Sequence, residues 1–196
     1  MPYDKRFVLP IGADPVITDL GRQIQGKHTR TVLINNPEER TAFREVDESS
    51  LLTIIGHGDG ETLGGTREGI GGESGEALAT QLIASGLRKV KMITLISCRA
   101  GAGPFARTLH YELGWAPRHA VHTQVNARTG NTQVQDGKQY SRLPTETTYY
   151  RQKVGTKILY YWDENGRQQS TTTFEGYNDV GIFLGPRRAD DLDGIS

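Results

Sequence analysis

The chain carries a single cysteine, Cys98, in 196 residues. That scarcity excludes an internal disulfide framework and any zinc site built from several thiolates, and it leaves the one thiol free. An excess of either charge is missing too, since Lys plus Arg and Asp plus Glu both number 23. With no net field to draw it onto a polyanion, the protein is not expected to bind nucleic acid, and an anionic partner has to be met by a local basic cluster. Nowhere do about 18 apolar residues follow one another, so no membrane-spanning helix is expected. Met1 to Arg6 hold none of the apolar stretch of a signal peptide, and the expectation is a soluble chain delivered by other means.

What is present is a regular alternation. The length suits one compact domain with a real core. Phe7 to Pro10 is a short apolar run, and Asp14-Pro15 opens a helical pattern through Val16, Ile17, Leu20 and Ile24 that Gly26 should close. Thr31 to Asn35 and Leu51 to Gly56 are strands by their apolar, β-branched content. Seven glycines in positions 60–75 exclude a regular element there; Ser74 or Gly75 can then cap a helix carrying Ala77, Leu78, Leu82 and Ile83, ended by Gly86. A further strand, Met92 to Ser97, leads into a helix from Pro104 to Glu112 with Phe105, Leu109 and Leu113 at helical spacing. Such alternation predicts an α/β fold, a mainly parallel sheet flanked by helices. After Ala120, Thr, Tyr, Gln and Val dominate, and Lys157 to Trp162 faces Gln168 to Phe174 across a turn, a hairpin signature. An antiparallel β-flap over 131–174 is expected, then a loose tail over 187–196.

Two phosphate-binding patterns compete for attention. Residues 21–28 come within one residue of a P-loop, but His28 replaces the required Ser or Thr and the stretch closes a helix instead of opening one. Gly101-Ala102-Gly103-Pro104-Phe105-Ala106 fits a dinucleotide fingerprint between strand and helix, yet no Asp or Glu follows near Val121 to Val125 to hold a ribose. A third pattern joins distant positions. Cys98 ends one strand and His57 ends another, each opening a glycine-bearing loop, and neighbouring parallel strands deliver such loops to one edge. A thiol and an imidazole meeting there can act as nucleophile and general acid–base. The N–H groups of Gly58 and Cys98 would hold the oxyanion, glycine allowing the close approach. Asp59 reads as a loop carboxylate; a metal held by His57 and Asp59 lacks a second clustered histidine, and no metal is expected.

Ile54 to Gly58 with Leu95 to Cys98 resembles the caspase, legumain and gingipain clan of cysteine peptidases. Within it the chain is most similar to the autoprocessing cysteine protease domain of multifunctional RTX toxins and large clostridial toxins. Asp14-Pro15-Val16, Gly26-Lys27-His28, Glu76 to Ala79, Val125 to Arg128, Gly137-Lys138 and Lys157 ahead of Trp162 carry the likeness further, over about residues 6–165. The resemblance implies a caspase-like three-layer domain over 1–186 and a thiol protease that cleaves itself or a host protein. It also implies activation by inositol hexakisphosphate, with Lys27, Arg128, Lys138 and Lys157 as its ligands and Arg6, Arg151 and Lys153 beside them. A bacterial toxin or effector, secreted or translocated and acting in the host cytosol, is the expected setting. Only a few residues precede the first strand, so a stand-alone relative is an expectation as well. Arg99 and Trp115 are candidates for the pocket that reads the cut residue. A non-catalytic inositol-phosphate-binding module and a dinucleotide-dependent oxidoreductase are the alternatives.

Overall fold

A computed structural model describes residues 3–65, 72–115, 121, 123–135, 138–142, 155–177 and 183–188. Five strands form the parallel part of the sheet: β1 (Lys5–Pro10), β2 (Thr31–Leu33), β3 (Ser50–Ile55), β4 (Met92–Ile96) and β5 (Gln124–Arg128). Three more, β8 (Gly155–Trp162), β9 (Gln168–Tyr177) and β10 (Phe183–Arg188), continue it antiparallel in the order β10-β9-β8-β5-β4-β3-β1-β2. β6 (Asn131–Gln135) and β7 (Lys138–Arg142) form a separate two-stranded hairpin. The expected antiparallel region therefore divides: only β6–β7 stands off the sheet, while β8 and β9, paired Trp162 to Gln168 and Lys157 to Thr173, extend it. Arg187 and Arg188, expected in the tail, pair with Phe174 and Thr173; positions 189–196 lie outside the described residues.

Helices cover both faces. α1 (Pro15–Lys27) packs Ile17 and Ile24 on Val8, Ile55 and Ile96, and Val134 of β6 joins this cluster. On the other face, α2 (Gly75–Ala84) and α3 (Phe105–Trp115) pack Leu78, Leu82, Phe105, Leu109 and Leu113 against Leu9, Leu52, Ile54, Ile93, Leu95 and Val125. β3 and β4 are largely buried on both faces, which is why they read as charge-free, mostly apolar runs. Each fully buried Leu or Ile there contributes about 2 kcal/mol.

Local signals explain most of the boundaries. Asp14 caps α1, its Oδ1 accepting from Val16 N at 2.9 Å, with Pro15 at the first turn. Ser74 caps α2 by accepting from Ala77 N at 3.2 Å, and Gly86 ends that helix region with φ +100°. Gly26 does not close α1, which runs on to Lys27 with His28 as its cap; the left-handed residue after it is Arg30, φ 64°. Val16 and Ala77, expected on apolar faces, are exposed, because the buried stripes of their helices pass through Ile17 and Leu78 instead.

Candidate active site

β3 and β4 are adjacent and parallel, with Ile54 beside Leu95 and Ile55 beside Ile96. Gly56 N still donates to Ile96 O at 3.4 Å. His57 and Cys98 stand two positions beyond that last pair on their respective strands, so both leave the sheet at one level of its C-terminal edge. The two loops then interlock. A Cβ on Gly58 would fall on Ser97 Oγ and lie 2.9 Å from Thr62 O and 3.4 Å from Cys98 O. One on Gly103 would fall on Gly60 O, which accepts from Phe105 N at 3.1 Å. Glycine is required at both positions because backbone already fills the space.

The imidazole has a partner that sequence reasoning missed. His57 Nε2 lies 2.9 Å from Asp14 Oδ2, with side chains 23% and 31% exposed. One carboxylate thus does two jobs, Oδ1 capping α1 and Oδ2 holding the ring. With Nε2–H donating to Asp14, Nδ1 is left to exchange protons. Asp59 is the loop carboxylate expected: its Oδ1 accepts from Thr62 N and Glu61 N, and these bonds favour the charged form and hold its pKa below the usual carboxylate range. Cys98 is half-buried and free, and its thiol donates to the Thr132 carbonyl of β6 at 3.4 Å. Arg99, next in the chain, is exposed with φ 56°, a left-handed conformation that costs a non-glycine residue.

The basic candidates share a face but not a point. Arg128 and Lys157 are directly paired across β5 and β8. Their neighbours Ala127 and Ile158 pack on the α2–α3 side, so by alternation both turn to the α1 side. Arg6, two residues before Val8, turns the same way on β1. Lys27 and Arg6 lie near His28, whose basicity is lowered by burial first and then by those two charges. Four strand steps, about 19 Å, separate β1 from β8. Two basic groups therefore flank the face on which β6 packs. Lys138 is placed only by its backbone pairing with Gln135, and Arg151 and Lys153 lie outside the described residues.

The rival motifs are absorbed by packing. Residues 21–27 lie inside α1, where a Cβ on Gly21 would come 2.9 Å from Pro10 and 3.2 Å from Leu33. Gly101 lies against the Arg128 backbone, to whose carbonyl it donates at 2.8 Å. Trp115 is 64% exposed and stacks on Tyr111 at the far end of α3, about 15 Å along the helix from the loop after Cys98, and does not line a pocket there. No group of three or more His, Cys, Asp or Glu side chains clusters as a metal site among the described residues, and no helix among them is long and apolar enough to cross a membrane.

An α/β sheet with a free thiol and a carboxylate-held imidazole in loops at one edge supplies the groups that a cysteine hydrolase uses. Residues 1–141 match the Peptidase C80 family. The chain belongs to that family, the autoprocessing cysteine protease domain of RTX and large clostridial toxins, and is accordingly a peptide-bond hydrolase of bacterial toxin type. Among curated proteins, no match to the chain was found.

Proposed function

We propose that the protein is a cysteine endopeptidase in which Cys98 is the nucleophile, His57 the acid–base and Asp14 the positioning carboxylate. The observation that supports this is the β3–β4 register, whose last pair, Ile55 and Ile96, precedes His57 and Cys98 by two residues each. His57 Nδ1 takes the Cys98 proton, and Sγ bonds to the scissile carbonyl carbon. The resulting oxyanion is stabilised by the N–H groups of Gly58 and Cys98. On collapse the C–N bond breaks, the imidazolium gives its proton to the departing amine, and a thioester remains. Water then attacks the thioester with His57 as base, releasing the acid and restoring the thiol. Asp14 stabilises the imidazolium and fixes which nitrogen faces the reaction.

Family membership further supports inositol hexakisphosphate as activator, since the family depends on it in general terms. In this reading the anion engages Arg128 and Lys157 on one flank and Lys27 and Arg6 on the other, with Lys138 on the hairpin between and Arg151 and Lys153 beside it. Charge-assisted bonds from these cations to phosphates supply the affinity. The hairpin is the natural switch: Thr132 of β6 holds the Cys98 thiol, and Val134 of the same strand packs on the face that carries the cations. Closure on the anion would shift β6 and release the sulfur.

Mass spectrometry of the purified chain mixed with a peptide library, with and without inositol hexakisphosphate, tests both parts. Cleavage that needs Cys98 and rises with the ligand is expected, together with a higher melting temperature. Cleavage undiminished in Cys98→Ala ends the peptidase assignment of that thiol; an unchanged melting curve at saturating ligand ends the activator part alone.

A further inference from the structure

Beside the proposed catalytic pair, the C-terminal end of β1 and parts of α1, α2 and their loops enclose a cavity of about 290 Å³. Glu73, Glu38, Gln81, Asn35 and Thr18 line it, all bearing acceptor oxygens, and no Lys or Arg is among its described lining residues. Glu73 Oε2 is buried with no hydrogen-bond partner. Neither glutamate enters an ion pair among the described residues. Glu73 as a whole is only partly buried, so its carboxylate keeps contact with the cavity while one of its oxygens lacks a donor. The position is also rigidly built. Glu73 exchanges backbone bonds with Leu63 at 2.8 and 2.9 Å, and Leu63 is bridged to Gly58, the residue after His57. Gly12, on the other wall, stands two residues before Asp14.

Sheet geometry sets how far this cavity lies from the thiol. β4, β3 and β1 are consecutive neighbours, so β1 is about 10 Å from β4, the span of about three residues of extended peptide. We propose that the cavity is a subsite for a lysine or arginine of the polypeptide substrate, two to four residues from the scissile bond, neutralised by Glu73 with help from Glu38. The proposal rests on the peptidase reading of Cys98 and His57. Two carboxylates among amides and a hydroxyl suit a guanidinium or ammonium group, which brings several donors as well as a charge.

The test uses the full chain with inositol hexakisphosphate present and labelled peptides built on the sequence cut in the library, in which arginine is walked through the flanking positions against its neutral isostere citrulline. In Cys98→Ala, fluorescence anisotropy should show the arginine peptide binding about ten-fold tighter at one of these positions. Adding Glu73→Gln should erase that difference and leave the citrulline peptide's affinity unchanged; Glu38→Gln, at an exposed residue, should reduce it. Absence of any arginine preference, or a preference that survives both substitutions, overturns the subsite. Cleavage by the unmodified chain is scored separately: Cys98-dependent cutting without arginine preference removes the subsite alone, whereas cutting by Cys98→Ala removes the catalytic assignment.

Discussion

Acidification should loosen the joint between α3 and the C-terminal strands, through His110. This residue is fully buried on α3. Its Nε2–H donates to Thr123 O at 3.1 Å, its Nδ1 accepts from Gln168 Nε2 at 2.7 Å, and its ring stacks on Trp162 at 4.9 Å. Both nitrogens are committed to the neutral form. Burial accordingly pushes the imidazole down from 6.5 to about 4. Below pH 6.5 the unfolded chain takes a proton that the folded chain refuses, so stability is full above that pH and is lost as pH falls toward 4. At 1.36 kcal/mol per unit the loss is at most about 3 kcal/mol, a large share of what holds a domain of this size. A proton on Nδ1 would meet the Gln168 amide N–H; turning that amide to accept it would strip Arg107 O of its 2.9 Å donor. The assay is urea unfolding at intervals from pH 7.5 to 4, with tryptophan emission as the probe of Trp162. His28 titrates in the same sense, while Asp59 and Asp163, both held low by backbone N–H bonds, lose their contributions only below 3.8. His110→Gln should remove most of the slope between pH 6.5 and 4. An equally steep slope in that variant would refute the assignment.

Asp14→Asn should separate the two jobs of that side chain. Asparagine still caps α1, so unfolding free energy should stay within about 0.5 kcal/mol, while peptide cleavage should drop about 100-fold or more as His57 loses its anionic partner; Asp14→Ala should lose both, which melting curves and turnover measured on the same samples will show. Gly114→Ala should destabilise by about 1–3 kcal/mol, because the new methyl falls on the Trp162 indole where the backbone of α3 cannot retreat. Near-ultraviolet circular dichroism should change with it, and a wild-type spectrum and melting point would show that the contact yields freely.

The central strands were legible because their chemistry is one-sided: β3 and β4 are largely buried on both faces and carry no charged residue, only aliphatic side chains and a few hydroxyls. The hairpin of β8 and β9 was legible from its turn, where Asp163 Oδ1 accepts from Asn165 and Arg167 and Gly166 adopts φ +69°. His57 and Cys98 could be singled out because each ends such a run. Asp14 could not, since its position before Pro15 was fully explained by capping; its second role depends on β1 lying beside β3, a pairing between strands 40-odd residues apart that no local pattern encodes. The signal available was topological, an acid following an apolar strand toward the same edge. Placement of β6 and β7 escaped for a related reason: Asn131 to Arg142 is mostly polar, and its single described buried anchor, Val134, gives no period to read.

β5 is the hinge of the sheet's directionality, parallel to β4 on one side and antiparallel to β8 on the other. A fragment ended at residue 141, the limit of the family match, would lack β8 and present the N–H and C=O groups of Val125 to Arg128 to solvent as a raw border. Tyr160 and Trp162 would go too, uncovering His110 and the end of α3. Such a border recruits other chains, so the shorter piece should self-associate where the longer one stays dispersed.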